Sequence, residues 1–586
     1  MSPPHSIRAT LPGGSQQPRG VWRAMPFLAV SLVNLLLLWH FHDRYWYPTD
    51  DGFYAHIAER LLAGEVLNRD VQDIHPGYIH VVHVLAFRLF GTDMVSLRYP
   101  LMLVAFLQAC FVYALLQRRD VILAAAGSLA VTGLGVIQFV DPTPNWYCLC
   151  LCVVIACWMI WLPQGHPSRL IGAGLLVGVL TLFRHLNGVW VAMAVLVLAL
   201  LEHSSRGRRE HSVFLARALL LTMLTGLVGY LVLSPETEPG GLILMAAWPI
   251  AILTWMFVYV RASNADVASI VARVALGAAV PAAPLILYHV LHGSFIIWVS
   301  DIVLAAIGEL DLPFYGQGWW YFYLPQAGFF QAVSSVEPVK VANGLYWMIL
   351  PVLSAVNGLF ILTRLRRGEG ARELILPVLA SFYALSSLLF EGHLYLYYTV
   401  GLSLVSLLWF AAAGSRLNRW AWAATAGALA VVSVVFHAGQ SRERTVLEML
   451  EGRRVSNVWG SDAGGLDRAR LRLDRVDRDV YGRFVRVIQA ETRADEAIFA
   501  LPNDAELYFL AHRRNPFRFY NSALGIRTDD DLRHVMAEMQ ASPPRLVIFR
   551  PDDKYNTAAS ARVMSLVKSK YVRIDTIDGR DVYRLP

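Results

Sequence analysis

Charge is what this chain has least of. Only 16% of its 586 residues are charged, against about a quarter in a typical soluble protein. With 56% hydrophobic residues and a mean hydropathy of +0.45, many apolar runs reach the ~20 residues that cross a bilayer. That excludes a soluble globular chain and predicts a polytopic α-helical membrane protein. Cysteine is scarce too: Cys110, Cys148, Cys150, Cys152 and Cys157 all fall inside predicted spans, so no disulfide framework follows. The C-L-C-L-C run has i, i+2 spacing within a helix, which is wrong for a zinc site; these are ordinary apolar side chains. The first apolar run lacks a small-residue cleavage site and ends in W-H-F-H-D-R-Y-W-Y, so it reads as a retained anchor with an interfacial aromatic belt. No P-loop and no G-x-G-x-x-G in a credible context is present, which argues against a nucleotide ligand.

The net charge of +7 does not argue for nucleic acid, because the arginines cluster in short inter-span loops. Residues 1–24, the first twenty of them rich in Pro, Gly, Ser and Gln, are expected to be a disordered cytoplasmic N-terminus. Thirteen spans are predicted, at 25–42, 95–117, 121–138, 144–162, 169–184, 187–202, 213–233, 240–260, 267–289, 343–363, 373–390, 394–412 and 418–437. With the N-terminus inside, the inner loops hold Arg118–Arg119, His166–Arg169, Arg206–Arg209, Arg261, Arg364–Arg372 and Arg416–Arg419. The outer loops hold Asp141, Glu236, Glu238, Asp311 and Glu391 and few arginines, as the positive-inside rule requires. Segment 76–90 is short and contains two histidines and an arginine. Counting it as a span would reverse the charge rule, so it reads as an amphipathic helix in the outer interface. The first outer loop then runs over 43–94, and a second long, aromatic one over 290–342. Residues 438–586 change composition. Short strands at 496–501, 545–549 and 571–577 with helical segments between them predict a small α/β domain, placed outside by the odd span count.

The chemistry-bearing candidates gather at outer ends. Asp50 and Asp51 stand side by side where the chain leaves the first span; two carboxylates this close cannot both ionise freely without a compensating cation. They read as a general base with a tuning or metal-holding partner, and T-D-D is also good helix-capping chemistry. Asp73 and His75, in V-Q-D-I-H-P-G-Y, close the same loop and suit acceptor orientation or cation binding, or plain surface polarity. Asp141 sits in a proline-bounded turn after the third span. Arg184 and His185 end the fifth span against the charge rule, which points to an anion, most simply a phosphate, or to snorkelling. His393 and Tyr397 share a helix face at i, i+4 and suit the same anion, or an interfacial belt. Trp319 and Trp320, in W-W-Y-F-Y, are candidates for sugar stacking or a lid, as well as for an interfacial cluster. H-R-R-N-P-F-R-F at 512–519 is a basic-aromatic patch for acceptor or anionic lipid, or a solvated one.

D-D-G-F-Y-A-H-I-A-E-R-L-L resembles the Asp-Glu/Asp-x-x-Tyr-Ala motif in the first outer loop of GT-C glycosyltransferases, which include the lipid A aminoarabinose transferases, protein O-mannosyltransferases and dodecaprenyl-phosphate galacturonosyl transferases. On that resemblance Asp50 takes the catalytic acid position and Tyr54 the motif tyrosine. D-I-H-P-G-Y, R-L-F-G and L-R-Y-P resemble the acid–basic–Pro segment, the Phe-Gly pair and a later arginine, Arg98; V-D-P gives Asp141, and L-F-R-H gives Arg184 as a donor-phosphate residue. The similarity covers mostly residues 45–190, with Asp51 where glutamate is frequent and Asp73 at a shifted spacing.

The resemblance implies sugar transfer from a polyprenyl-phosphate donor to a glycan, lipid or protein acceptor, with inversion and Asp50 as base. The expected address is a bacterial inner membrane with a periplasmic C-terminal domain. Tyr54, Asp73, His75, Asp141, Trp319 and Trp320 would contact substrate, and Arg184, His185, His393 and Tyr397 the donor phosphate. A divalent cation, Mg or Mn, would sit on Asp50, Asp51 and Asp141. The rival readings are a flippase for a lipid-linked glycan and an O-antigen-type polymerase or ligase. A transporter should carry ionisable groups near the midplane on broken helices; here the middles of the spans are almost free of charge.

Overall fold

Apolar segments in lipid must satisfy their own backbone hydrogen bonds, and helices do so within one segment. The computed structural model of the protein describes residues 21–204, 212–233, 239–304, 320–388, 393–438, 450 and 466–586. Its helices run α1 (Val21–Phe41), α2 (Pro48–Leu62), α3 (Tyr78–Phe90), α4 (Arg98–Leu116), α5 (Val121–Gly133), α6 (Pro144–Trp161), α7 (Pro167–Phe183), α8 (His185–Ser204) and α9 (Phe214–Leu233). They continue as α10 (Pro239–Tyr259), α11 (Asn264–Leu291), α12 (Phe295–Val299), α13 (Trp320–Ser334), α14 (Pro338–Arg366), α15 (Ala371–Leu388), α16 (His393–Ala411) and α17 (Arg416–His437). Among the described residues, twelve helical stretches are long and apolar enough to cross a membrane. The protein is a polytopic α-helical membrane protein.

The fifth expected span, 169–184, is not among those twelve: it is α7, whose 17 residues reach only about 25 Å. It packs on α11 through glycines: a Cβ at Gly174 would lie 2.2 Å from the Val274 carbonyl oxygen, and one at Gly277 2.1 Å from that of Ile171. Small residues let helix backbones approach this closely in lipid. Segment 76–90 forms α3, 13 residues long, which buries Ile79, His80, His83 and Phe87 and exposes Val81, Leu85 and Leu89 on another face. The stretch 290–342 is not a plain loop. Among its described residues α12 and α13 are helical, and α13 packs on α14 where Gly328 and Gly344 meet, a Cβ on Gly328 lying 2.5 Å from the Gly344 carbonyl oxygen.

The C-terminal domain places β1 (Ile498–Leu501), β2 (Leu546–Phe549), β3 (Val572–Ile577) and β4 (Arg580–Arg584) in one sheet of order β1-β2-β4-β3. β1 and β2 are parallel; β4 is antiparallel to both of its neighbours. The fourth strand was not expected, although Asp578–Gly579, both at positive φ, is a standard hairpin signal. The sheet is joined by α18 (Arg475–Glu491), α19 (Ala505–Ala511), α20 (Ser522–Gly525), α21 (Asp529–Ala541) and α22 (Ala558–Lys570). Strand alternation decides how it docks: Ile498, Ala500, Leu546, Ile548 and Val582 join the apolar core of the bundle, while Phe499, Leu501, Val547 and Tyr583 face a second cluster with Val563 and Val567. The domain therefore shares one core with the membrane bundle.

Candidate active site

Pro48 opens α2 at its first position, where its missing N–H costs nothing. The backbone N–H of Tyr47 donates to Asp51 Oδ2 at 2.9 Å, and Arg98 Nη2 donates to the same oxygen at 2.9 Å. Both side chains of that pair are 0% exposed. Arg98 also donates to the Arg44 carbonyl at 3.0 Å. Asp51, expected beside Asp50 as a catalytic acid, is thus a capping and ion-pairing group closed to a reactant. Asp50, about 100° around the helix, is half-buried in the first turn and accepts from Thr49 Oγ1 at 3.4 Å.

One turn on, Tyr54 is buried and its hydroxyl donates to Thr143 Oγ1 at 3.5 Å. Burial, then the charges of Asp141 and Asp73, push its phenol well above the ordinary range, against Arg184. Its ring lies 5.9 Å from that of His75 and 5.1 Å, edge-on, from that of His83.

Asp73 forms the densest cluster. His75 Nδ1 lies 2.9 Å and His80 Nε2 2.5 Å from Asp73 Oδ2, with Asp73 and His80 wholly buried. Burial alone would raise the Asp73 carboxyl, but the two histidines hold it below the usual carboxylate range. Among the described residues this is the His/Cys/Asp/Glu trio close enough to share a metal ion. Asp50, Asp51 and Asp141, expected as ligands, do not form such a trio, since Arg98 closes Asp51. His80 and His83 were missed as site residues. Their i, i+3 spacing, which puts both on the buried face of α3, was the available signal.

Asp141 lies, as expected, in a turn: its N–H donates to the Phe139 carbonyl at 2.9 Å. His83 Nε2 sits 3.1 Å from the Pro142 carbonyl oxygen and supports that turn. Burial first, and the Asp51 charge second, raise the Asp141 carboxyl well above its ordinary range, with Arg98 opposing. Its Oδ1 is buried without a hydrogen-bond partner.

Arg184 follows the short α7 and is half-buried, within the field of Tyr395, Tyr54 and Tyr398. His185 lies within the field of Arg184 and His75. Tyr397 is not brought to this cluster: its hydroxyl accepts from Tyr346 at 3.1 Å on another side of α16. Helical phase explains the difference, since Tyr395 and Tyr398 share a face at i, i+3 that Tyr397 does not. Trp319 and the side chains of Trp320 and His393 lie outside the described residues.

The C-terminal domain covers one flank. Tyr520 stacks on Phe53 at 5.3 Å and its hydroxyl lies 3.5 Å from Asp73 Oδ1. The 512–519 patch is not simply a solvated basic surface. Phe517 and Phe519 are buried, Arg518 donates to the Asn68 carbonyl at 2.8 Å, and it pairs with the buried Asp301.

No family model matches the chain, and no curated protein matches it. Among solved structures it is similar to ArnT from Cupriavidus metallidurans bound to undecaprenyl phosphate, at TM-score 0.37 and 13% identity, covering 96% of this chain and 97% of that one. It is similar to the Archaeoglobus fulgidus oligosaccharyltransferase in the apo form, at TM-score 0.41 and 13% identity, covering 89% and 69% of the two chains. The same oligosaccharyltransferase in complex with Zn and sulfate gives 0.43 and 13%, covering 90% and 68%. Superpositions this loose leave the meaning of the site to its own residues.

Proposed function

We propose that this protein is an integral-membrane glycosyltransferase that moves a sugar from a polyprenyl-phosphate donor to an acceptor hydroxyl at the bundle end bearing the C-terminal domain. That end would face the periplasm of a bacterial inner membrane. One observation carries the reading: Asp73, Asp141, Arg184 and Tyr398, from four separate segments, all lie within electrostatic reach of the buried Tyr54, on a fifth, inside an otherwise apolar bundle. Gathering ionisable groups in such surroundings is costly, so their convergence marks a functional site.

The arrangement suits the chemistry. A guanidinium among tyrosine hydroxyls is a good receptor for phosphate oxygens. The exposed Val81, Leu85 and Leu89 on α3 suit insertion at the bilayer surface, which would bring a lipid tail beside the buried His80 on the same helix. A lipid phosphate leaves readily, so the step that needs help is deprotonation of the acceptor, and the half-buried Asp50 is the base. Direct displacement inverts the anomeric centre. Asp141, whose carboxyl burial raises above its ordinary range, would donate a hydrogen bond to a sugar hydroxyl in its protonated form.

Asp73, His75 and His80 would hold a divalent cation. His80 Nδ1 is buried without a hydrogen-bond partner, and two imidazoles with one carboxylate suit Mn or Zn better than Mg. Bound there, the ion would supply Lewis-acid stabilisation of phosphate charge.

The test is transfer of radiolabelled sugar in membranes carrying wild type or Asp50→Asn at equal expression. A drop of about 100-fold or more is expected, the range of general-base catalysis. Equal transfer would remove Asp50 from its role. Failure of wild type with hexosyl, pentosyl and uronosyl polyprenyl phosphates would overturn the reading.

A further inference from the structure

Asp51 caps the first turn of the helix that carries Asp50 from within, and a second hold on that turn comes from outside the helix. Its N-cap residue, Tyr47, makes no side-chain capping bond. That further support comes from the C-terminal domain, more than 400 residues away in the chain. Trp46, just before α2, donates from Nε1 to Asp477 Oδ2 at 2.8 Å. Its ring meets Tyr481 edge-on at 4.7 Å and 74°. On the other side of the turn, Gly52 lies against Glu506 so closely that a Cβ would sit 2.3 Å from Glu506 Cβ and 2.5 Å from Glu506 Cα. One turn later His56 stacks on Tyr508 at 4.8 Å.

A single side chain joins the two grips. The Tyr481 hydroxyl donates to Glu506 Oε1 at 3.2 Å while its ring carries Trp46. Tyr481 and Glu506 are both buried, so neither contact is loosened by solvent. The pieces behind them are fixed as well: Arg580 binds Asp504 at 2.8 Å, two residues before Glu506. Residues 46–52 are therefore clamped between α18 and α19, and Asp50 stands in the middle of the clamped segment.

We infer that Tyr481 is a positioning residue for the reaction and that the C-terminal domain, through the Trp46–Tyr481–Glu506 clamp, sets where the Asp50 carboxylate points. The inference rests on the proposed function for its chemical half and on geometry alone for its mechanical half. A base must stay within hydrogen-bond reach of the proton it takes, and displacement by about 1 Å can cost on the order of 100-fold in rate. The domain is then part of the catalytic centre without touching substrate.

The experiment uses the full chain in detergent or nanodiscs, comparing wild type with Tyr481→Phe and, as a second variant, Trp46→Phe. The first removes the hydroxyl to Glu506, the second the donor to Asp477, and both keep a ring. Amide hydrogen exchange over residues 46–58 reads the clamp directly. Faster exchange confined to that segment is expected; unchanged exchange in both variants overturns the inference. Transfer kinetics read the chemistry. A kcat lower by roughly tenfold or more, an unchanged KM for the lipid donor and a displaced acidic limb of the pH–rate profile are expected. Mere loss of folded protein would scale the whole profile and leave its limb in place, and that result also overturns the positioning role. If wild type transfers nothing, the proposed function fails, while hydrogen exchange still decides the clamp.

Discussion

The two ends of the helix bundle use the same residue types for opposite purposes. At the end away from the C-terminal domain, each pair ties two neighbouring helices. Arg119 reaches Glu373 at 2.5 Å, Arg419 reaches Asp120 at 2.8 Å, and Arg169 pairs with Glu202. Arg119 also lies over the Trp409 ring at 3.5 Å. At the other end several charges are not cancelled in simple pairs. Asp73 is shared by two histidines, burial raises the Asp141 carboxyl, and Arg184 lies within the field of three tyrosines. Asp141 Oδ1, His80 Nδ1, His83 Nδ1 and His185 Nδ1 are buried there without hydrogen-bond partners. Buried polar atoms normally find partners, and the stapled end has exceptions of its own in Arg419 Nε and Trp161 Nε1.

Asp51–Arg98 sharpens this contrast, a fully buried staple placed inside the site end. Asp51→Asn should leave the Arg98 guanidinium buried without its counter-charge, at a cost of about 3–5 kcal/mol. Denaturant or thermal unfolding should show that loss, and Asp51→Asn with Arg98→Met should recover part of it. A stable single variant that fails only in transfer would instead return Asp51 to the chemistry.

Arg184→Ala should do the reverse: little change in unfolding and a fall of about 100- to 1,000-fold in transfer, the cost of losing one stabiliser of developing charge. Arg184→Lys should recover only part, because an ammonium lacks the planar fork. Unfolding of the Arg184→Ala protein would make Arg184 another staple and erase the difference between the ends.

What the sequence could reveal followed range of interaction. Spans were legible because length and apolarity are local; even α7 was found, and only its shortness was not. Three strands were legible from β-branched runs, and β4 was missed despite Asp578–Gly579. Asp73 and His75 were read together because they are neighbours. The expected trio of Asp50, Asp51 and Asp141 is not brought together for the same reason: Asp50 and Asp51 are adjacent in sequence but diverge around α2, and the partner that closes Asp51 is 47 residues away. His80 was passed over because α3 was read only as an interfacial helix, whereas its other face lines the site. Tyr397 was named from its i, i+4 spacing to His393; the phase that puts Tyr395 and Tyr398 within the field of Arg184 depends on tertiary packing.

The C-terminal domain offers a smaller test. Burial first, and the Asp504 charge second, push the Glu506 carboxyl up to about 8, with Arg580 opposing. The folded state therefore keeps a proton that the unfolded chain releases near 4.5. Stability is complete below that lower value and declines as pH rises towards about 8. Glu506→Gln should flatten the pH dependence of the unfolding temperature across that interval. A slope as steep as wild type would assign the proton to another group.

The smallest effect belongs to the far end. Arg119 is 23% and Glu373 43% exposed, so their attraction is screened by water and headgroups and should be worth about 0–1 kcal/mol. Arg119→Ala should cost somewhat more than Glu373→Ala, because it also removes the cation from the Trp409 face. A double-mutant cycle on unfolding separates the ion pair from that stacking, and transfer should stay at wild-type level in all three variants. A large loss of transfer from either change, with unfolding unaltered, would mean that the two ends are coupled through the spans. The division between a stapled end and a reactive end would then no longer describe this protein.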